Sequence, residues 1–297
     1  MNEHTKFKGT GVAMITPFTE NGSVDYNRLE HHVDQLIQHD VSYLVALGTT
    51  AETPTLSHKE RLEIIRVVQS ANSGRLPLVV GAGGNNTEEV ISWSREIGSD
   101  GIDALLSVAP YYNKPGQQGM IEHFSAIAAA SEVPVILYNV PGRTGSNITA
   151  DTVLTLATDQ SDKIVAVKEA SGDFGQIMDI IRQQPEGFGV LSGDDALTLP
   201  MIAAGAVGVI SVIANALPQH FSVMVNDALN GDLGSARQNH YALLPLIRAI
   251  FREGNPTGVK ALMELRGFGK ANLRLPLIPA TRDLVGEITD LLNALET

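Results

Sequence analysis

The order of segments along the chain predicts an α/β fold, a (β/α)8 TIM barrel with a C-terminal helical extension. Three observations carry that prediction. Short, nearly continuous apolar runs rich in β-branched residues recur eight times, and longer segments with 3.6-residue periodicity alternate with them. After about Gly231 the strand signal stops. An open doubly wound sheet usually ends at five or six strands, so eight repeats favour the closed barrel.

The runs are Val12–Phe18, Tyr43–Gly48, Pro77–Gly83, Asp103–Pro110, Pro134–Pro141, Ile164–Ser171, Phe188–Asp194 and Gly208–Val212. Most are apolar throughout rather than alternating, as expected for parallel strands covered on both faces. Between them Leu29, Val33, Leu36 and Ile37 fall on one helical stripe, as do Ile64, Val67, Val68 and Ala71, and again Ile177, Ile180 and Ile181. Ser57 with Glu60, and Asn86 with Glu89, have capping-box spacing. Pro218 suits a first helical position after a turn at Asn215. Residues 1–231 are therefore assigned to a barrel domain. Residues 232–297 form a helical appendage, broken near Asn255–Pro256 and Leu273–Pro279.

Composition narrows the function. Of 297 residues, 43% are apolar and 18% charged, which excludes a disordered or fibrous chain. The net charge is −12 and no basic stripe offsets it, so no nucleic-acid partner is expected. Cysteine is absent, which removes disulfides, thiolate metal sites, iron–sulfur clusters and a cysteine nucleophile. The apolar run Val12–Ile15 is too short for a signal peptide core. Leu197–Pro218 has no charge, yet Pro200, Gly205 and Gly208 divide it, so it reads as helix, glycine turn and strand rather than a membrane span. The expectation is a cytoplasmic protein without a membrane partner.

In a barrel of this kind, chemistry sits at the carboxyl ends of the strands. Lys168 is the sharpest candidate. It interrupts the apolar strand Ile164-Val165-Ala166-Val167-Lys168-Glu169-Ala170 on the face of Ile164, Ala166 and Ala170. Two readings stand: a lysine snorkelling or paired with Glu169 or Asp173, or a buried amine. At an ordinary pKa near 10.4 a lysine is neutral about once in 2,500 molecules at pH 7. Desolvation disfavours the ammonium and would free the amine for Schiff-base attack on a ketone. Tyr138, on the neighbouring strand, is either a core residue or a hydroxyl that shuttles protons. Thr49 and Thr50 are turn residues or carboxylate binders. Arg143 is a surface ion-pair partner or a bidentate carboxylate clamp.

Other motifs are incomplete. Gly81-Ala82-Gly83-Gly84-Asn85-Asn86 lacks the last glycine of a dinucleotide fingerprint, and Gly269-Lys270 is not a P-loop. His31 and His32 are adjacent and share no helix face. Asp194 and Asp195, also adjacent, point opposite ways on a strand. No metal is therefore assigned, and no Gly-x-Ser-x-Gly supports a serine nucleophile.

Five motifs in register carry a resemblance: Gly48-Thr49-Thr50-Ala51-Glu52, Pro110-Tyr111-Tyr112-Asn113-Lys114-Pro115, Tyr138-Asn139-Val140-Pro141-Gly142-Arg143-Thr144-Gly145, Val167-Lys168-Glu169-Ala170 and Ser192-Gly193-Asp194-Asp195. In order and spacing they resemble the dihydrodipicolinate synthase (4-hydroxy-tetrahydrodipicolinate synthase) family, from about Gly11 into the C-terminal helices. The resemblance implies a lyase that condenses pyruvate with L-aspartate 4-semialdehyde on the route to diaminopimelate and lysine, with no cofactor. It implies that Lys168 forms the imine with pyruvate, and that Thr49, Tyr138 and Tyr112 relay protons. Thr50 would bind the pyruvate carboxylate, with Gly193 and Ile210 lining the site. Family members are homotetramers, dimers of dimers, in which the tyrosine matching Tyr112 enters the partner's site.

Arg143 distinguishes this chain from N-acetylneuraminate lyase-like relatives, which share the lysine and tyrosine. The alternative is another Schiff-base 2-oxo-acid aldolase or dehydratase of that superfamily. Ala51 replaces a usual glycine, which would cost about 1 kcal/mol only if the position needs a positive φ. His58, Asn85, Glu89 and Tyr111 match a regulatory lysine site. Arg61 stands where lysine-sensitive members often have histidine, so the expectation is weak or absent lysine inhibition.

Overall fold

The computed structural model describes residues 6–296. Eight strands are hydrogen-bonded in sequence order into a closed barrel. They are β1 (Gly9–Ala13), β2 (Tyr43–Ala46), β3 (Leu78–Gly81), β4 (Ala104–Val108), β5 (Val135–Asn139), β6 (Ile164–Glu169), β7 (Gly189–Ser192) and β8 (Gly208–Ser211). The helices between them are α1 (Tyr26–Gln38), α2 (His58–Asn72), α3 (Thr87–Ile97), α4 (Gln117–Ala130), a single turn α5 (Pro141–Thr144), α6 (Ala150–Asp159), α7 (Phe174–Gln183), α8 (Thr198–Ala204) and α9 (Pro218–Leu229). Three more follow: α10 (Leu233–Phe251), α11 (Thr257–Leu265) and α12 (Arg282–Glu296). This is the predicted TIM barrel with C-terminal helices.

Every predicted strand exists, but the boundaries move. The first was expected over Val12–Phe18 and instead runs Gly9–Ala13. Gly9, Thr10 and Gly11 carry no apolar signal. Partners recruit them: the Gly9 amide donates to Val207 O at 3.0 Å, and Gly11 pairs with Tyr43. The other strands lose residues at their ends, because a ladder stops where its shorter neighbour stops. Leu197–Pro218 is helix α8, a left-handed Gly205 and strand β8, as read. Among the described residues no helix is long and apolar enough to cross a membrane. Ser57 and Glu60 form a full capping box. Asn86 caps α3 by accepting from the Glu88 amide, so the expected reciprocal bond from Glu89 is not the one that forms.

By its contacts the chain parses into two compact units. Among the described residues, one comprises 6–9 with Pro77–Ile210, and the other Thr10–Leu76 with 211–296. In the first, β3 to β8 pair successively in parallel register, including Tyr138 with Lys168 and Lys168 with Leu191. In the second, Asn215 joins three segments. Its Nδ2 donates to Ala13 O at 2.8 Å, and its Oδ1 lies 3.0 Å from both the Ile15 amide and His32 Nε2. His32, one of the adjacent histidines, is thus a buried structural residue, and burial lowers its pKa to about 4.

The second unit also holds a charged latch. Arg274 donates through Nη1 to Glu60 Oε2 at 2.9 Å and to Thr55 O at 2.9 Å. Its hydrogen bonds are the largest reason why the Glu60 pKa falls to about 2 from an ordinary 4.5. A folded pKa below the unfolded one means stability that is present above about pH 4.5 and lost as pH falls toward 2. Thermal melts of the native chain should therefore steepen over that interval, and Glu60→Gln should flatten that limb. Parallel acid limbs for the two proteins would refute the assignment.

Candidate active site

Lys168 is the penultimate residue of β6 and is 5% exposed. Its register partner on β5 is Tyr138, also buried, and Lys168 Nζ stands 4.2 Å from the centre of the tyrosine ring. The two residues that the sequence singled out on separate strands are therefore face to face. Small neighbours make the room. A Cβ built on Gly193 would lie 2.7 Å from Ala170 Cβ and 3.1 Å from both Cγ and Cε of Lys168. Any side chain there would press on the lysine stem, so glycine is required by close approach. Ile210 is buried on β8 in the same unit.

Period-two geometry sends the next residues, Asn139 and Glu169, to the opposite face of the two strands. Both are fully buried. Asn139 Nδ2 lies 3.1 Å from each Glu169 carboxylate oxygen. Glu169 also accepts from the Ser171 amide at 2.8 Å and from Gln176 Nε2 at 3.1 Å. Desolvation raises the Glu169 pKa, opposed by these donors. Because the bonds cross from β5 to β6, they fix the register that brings Tyr138 to Lys168. Neither Asn139 nor Glu169 was assigned this role from sequence. The available signal was two polar residues ending apolar strands.

Arg143 lies on the one-turn helix α5, exposed, and its guanidinium forms no ion pair among the described residues. After β4, Tyr111 is 43% exposed and Tyr112 is 89% exposed. Tyr112 also has a left-handed backbone, φ 69°, a strained choice for an aromatic residue. Asn113 braces this loop by donating to Asn85 O at 2.9 Å. Asn85 is half-buried ahead of α3, and Glu89 is exposed in its first turn. Asp194 caps the short turn after β7 by accepting from the Ala196 amide at 2.9 Å.

The other unit carries Thr49 and Thr50, in a single 3₁₀ turn with Ala51 directly after β2. Ala51 has no positive φ. The left-handed residue is the next one, Glu52, at φ 56°, so alanine in place of the family glycine carries no backbone strain. Thr49 is half-buried and Thr50 is 2% exposed, its Oγ1 accepting from Asn255 Nδ2 at 2.9 Å. Glu52 forms a buried ion pair with Lys260 of α11. His58, exposed, opens α2. In sequence, Asn255–Pro256 reads only as a helix break, and Lys260 carries no assigned role. A lone charge inside Val259-Lys260-Ala261-Leu262-Met263 is the same kind of signal that exposed Lys168.

A cavity of about 190 Å³ in this second unit is lined by His31, His39, His220 and Arg266 among others. Arg266 is already paired with Glu296 at 2.9 Å, and no lysine or tyrosine lines the cavity. At Lys168, by contrast, a buried lysine meets a phenol ring among small side chains. Such an arrangement can attack a carbonyl and manage the protons that follow.

Comparison with known proteins agrees with the motif reading. The model of the Dihydrodipicolinate synthetase family matches residues 6–295. A 4-hydroxy-tetrahydrodipicolinate synthase of Parabacteroides distasonis is 50% identical over 288 residues, covering 97% of each chain. A solved Cyanidioschyzon merolae dihydrodipicolinate synthase with lysine bound superimposes with a TM-score of 0.94 at 38% identity, covering 98% of each chain. The chloride-inhibited Acinetobacter baumannii synthase complexed with pyruvate gives 0.93 at 37% identity, covering 97% of this chain and 99% of that one.

Proposed function

The chain belongs to the dihydrodipicolinate synthetase family and is a lyase with the activity its relatives are named for, 4-hydroxy-tetrahydrodipicolinate synthesis on the lysine and diaminopimelate route, and on that footing we propose that Lys168 carries the reaction through an imine with pyruvate. The supporting observation is the buried amine 4.2 Å from the Tyr138 ring centre. The neutral amine adds to C2 of pyruvate, and loss of water from the carbinolamine leaves a protonated imine. That imine is an electron sink, so a methyl proton leaves and an enamine forms. The enamine carbon attacks the aldehyde of L-aspartate 4-semialdehyde, whose oxygen takes up a proton. The substrate's own amine then adds to the imine carbon and displaces Lys168, closing the ring. One water is released overall. Tyr138, with Thr49 and Tyr112 in the family's pattern, moves the protons.

Borohydride reduction in the presence of pyruvate, followed by mass measurement of peptides, is the direct test. The adduct is expected on the peptide containing Lys168. An adduct on another lysine, or on none, defeats the proposal.

Thr50 holds the keto-acid carboxylate, Gly193 and Ile210 shape its surroundings, and Arg143 receives the carboxylate of the semialdehyde. The exposed position of Arg143 on the turn directly after β5 supports that last role. Arg143→Ala should lower kcat/KM for the semialdehyde by about 10- to 100-fold, as loss of a charge-assisted pair does, while pyruvate trapping stays near normal. Equal loss in both would contradict the role. The working assembly is a homotetramer in the cytoplasm, and Tyr112 reaches a partner's site. Its exposure and left-handed backbone fit a residue held out for a second copy. His58, Asn85, Glu89 and Tyr111 belong to the regulatory lysine position, where Arg61 repels an ammonium ligand. Lysine at concentrations well above those of pyruvate should leave turnover nearly unchanged, and strong inhibition would reject this.

A further inference from the structure

Thr50 is buried, and its hydroxyl makes one side-chain hydrogen bond among the described residues, accepting from Asn255 Nδ2 at 2.9 Å. A hydroxyl has one proton and two lone pairs. With a lone pair taken by the Asn255 amide, the proton of Thr50 is left to donate. A carboxylate ligand needs that polarity, because it can only accept.

Asn255 is itself 8% exposed and held from several sides. It precedes α11, whose start lies hard against α10. A Cβ on Gly258 would come within 2.2 Å of Ile250 O, so the backbones approach as only glycine permits. Two residues further along α11, Lys260 forms the buried pair with Glu52, and it also donates to Asn272 O at 2.8 Å. Glu52 in turn accepts from the Arg274 amide at 3.1 Å. Both ends of the Thr50–Asn255 bond are thereby anchored, one by the residue two places after Thr50 and the other by the helix that Asn255 introduces. The remaining polar atom of Asn255, Oδ1, has no hydrogen-bond partner among the described residues, so the bond to Thr50 is the one side-chain hydrogen bond that the amide makes there.

We propose that Asn255 is a positioning residue for the keto acid: its amide fixes the Thr50 hydroxyl as a donor aimed at the substrate carboxylate. This rests on the reading that Thr50 binds pyruvate. The role is one of orientation, so it acts through Thr50 and vanishes when Thr50 has no hydroxyl.

A double-mutant cycle tests it on the full-length enzyme, with steady-state kinetics varying pyruvate and semialdehyde separately. Thr50→Val should raise KM for pyruvate roughly tenfold or more, the scale of a hydrogen bond to a charged group. Asn255→Asp should raise the same KM by a similar factor, with kcat at saturating pyruvate and KM for the semialdehyde changed less than about threefold. Adding Asn255→Asp to Thr50→Val should change pyruvate KM no further. Simple repulsion between an introduced carboxylate and pyruvate would persist without the hydroxyl, so multiplied effects in the double mutant overturn the proposal. An unchanged KM in Asn255→Asp beside a raised one in Thr50→Val overturns it as well. If Thr50→Val leaves KM unaltered, the Thr50 reading itself fails and takes the proposal with it. Asn255→Ala supplies the same arms should Asn255→Asp not fold.

Discussion

Replacing Lys168 with alanine is expected to reduce synthesis by on the order of 10⁴-fold, as removal of a covalent nucleophile does, and to abolish pyruvate trapping. The methyl proton of pyruvate must then leave a ketone rather than a cationic imine, and no other group in the site supplies an equivalent electron sink. The fold should survive, because the change removes a polar nitrogen from a buried strand and leaves a small residue beside Ala170 and Gly193. Lys168→Arg separates charge from covalency. Arginine places a permanent cation beside Tyr138 and forms no imine. Both variants should be equally inactive, with melting temperatures close to that of the native chain. Substantial activity in Lys168→Arg would show that the positive charge, not the nitrogen lone pair, was needed.

The largest stability effect is expected away from the reacting amine, at the Glu52–Lys260 pair. Both side chains are almost wholly buried. Lys260 also lies 4.4 Å from the Phe18 ring centre, and Arg274 covers the same ring at 4.5 Å. Burial draws the Lys260 pKa down to about 8, against the opposing pull of Glu52. Lys260→Met leaves the buried Glu52 carboxylate without its ion-pair partner, a loss of about 3–5 kcal/mol for a broken buried pair. At about 2–4 °C per kcal/mol for a chain of this order of size, the melting temperature should fall by roughly 10 °C. The double replacement Glu52→Leu with Lys260→Met should recover most of that fall, since an apolar pair of similar volume is often as stable as a buried ion pair. A double variant as unstable as Lys260→Met alone would show that the cost lies in packing, not in an unpaired charge.

These two lysines mark how far the sequence could be read. Lys168 was legible because it breaks a run of β-branched residues and sits inside a motif whose neighbours recur in order. Tyr138 was legible for the same reason. Lys260 breaks an apolar segment just as plainly, yet it lies 208 positions from Glu52, and no local spacing pairs them. The Thr50–Asn255 bond spans 205 positions and was equally invisible. The extension after Gly231 looked like an appendage because its periodicity reports only that it is helical. Its bonds to the loop after β2 show that it holds a proposed binding residue in place.

The linear chain alone settled the alternation of strands and helices, and with it the barrel, because burial of apolar stripes at periods of two and 3.6 is a local property of neighbouring residues. It also settled which amine and which phenol to suspect. Folding decided where each ladder starts and stops, as at Gly9, where partner strands rather than side-chain character recruit the backbone. It also decided which polar groups meet, since hydrogen bonds and buried charges are satisfied by whatever lies close in space, and distance along the chain does not report that closeness.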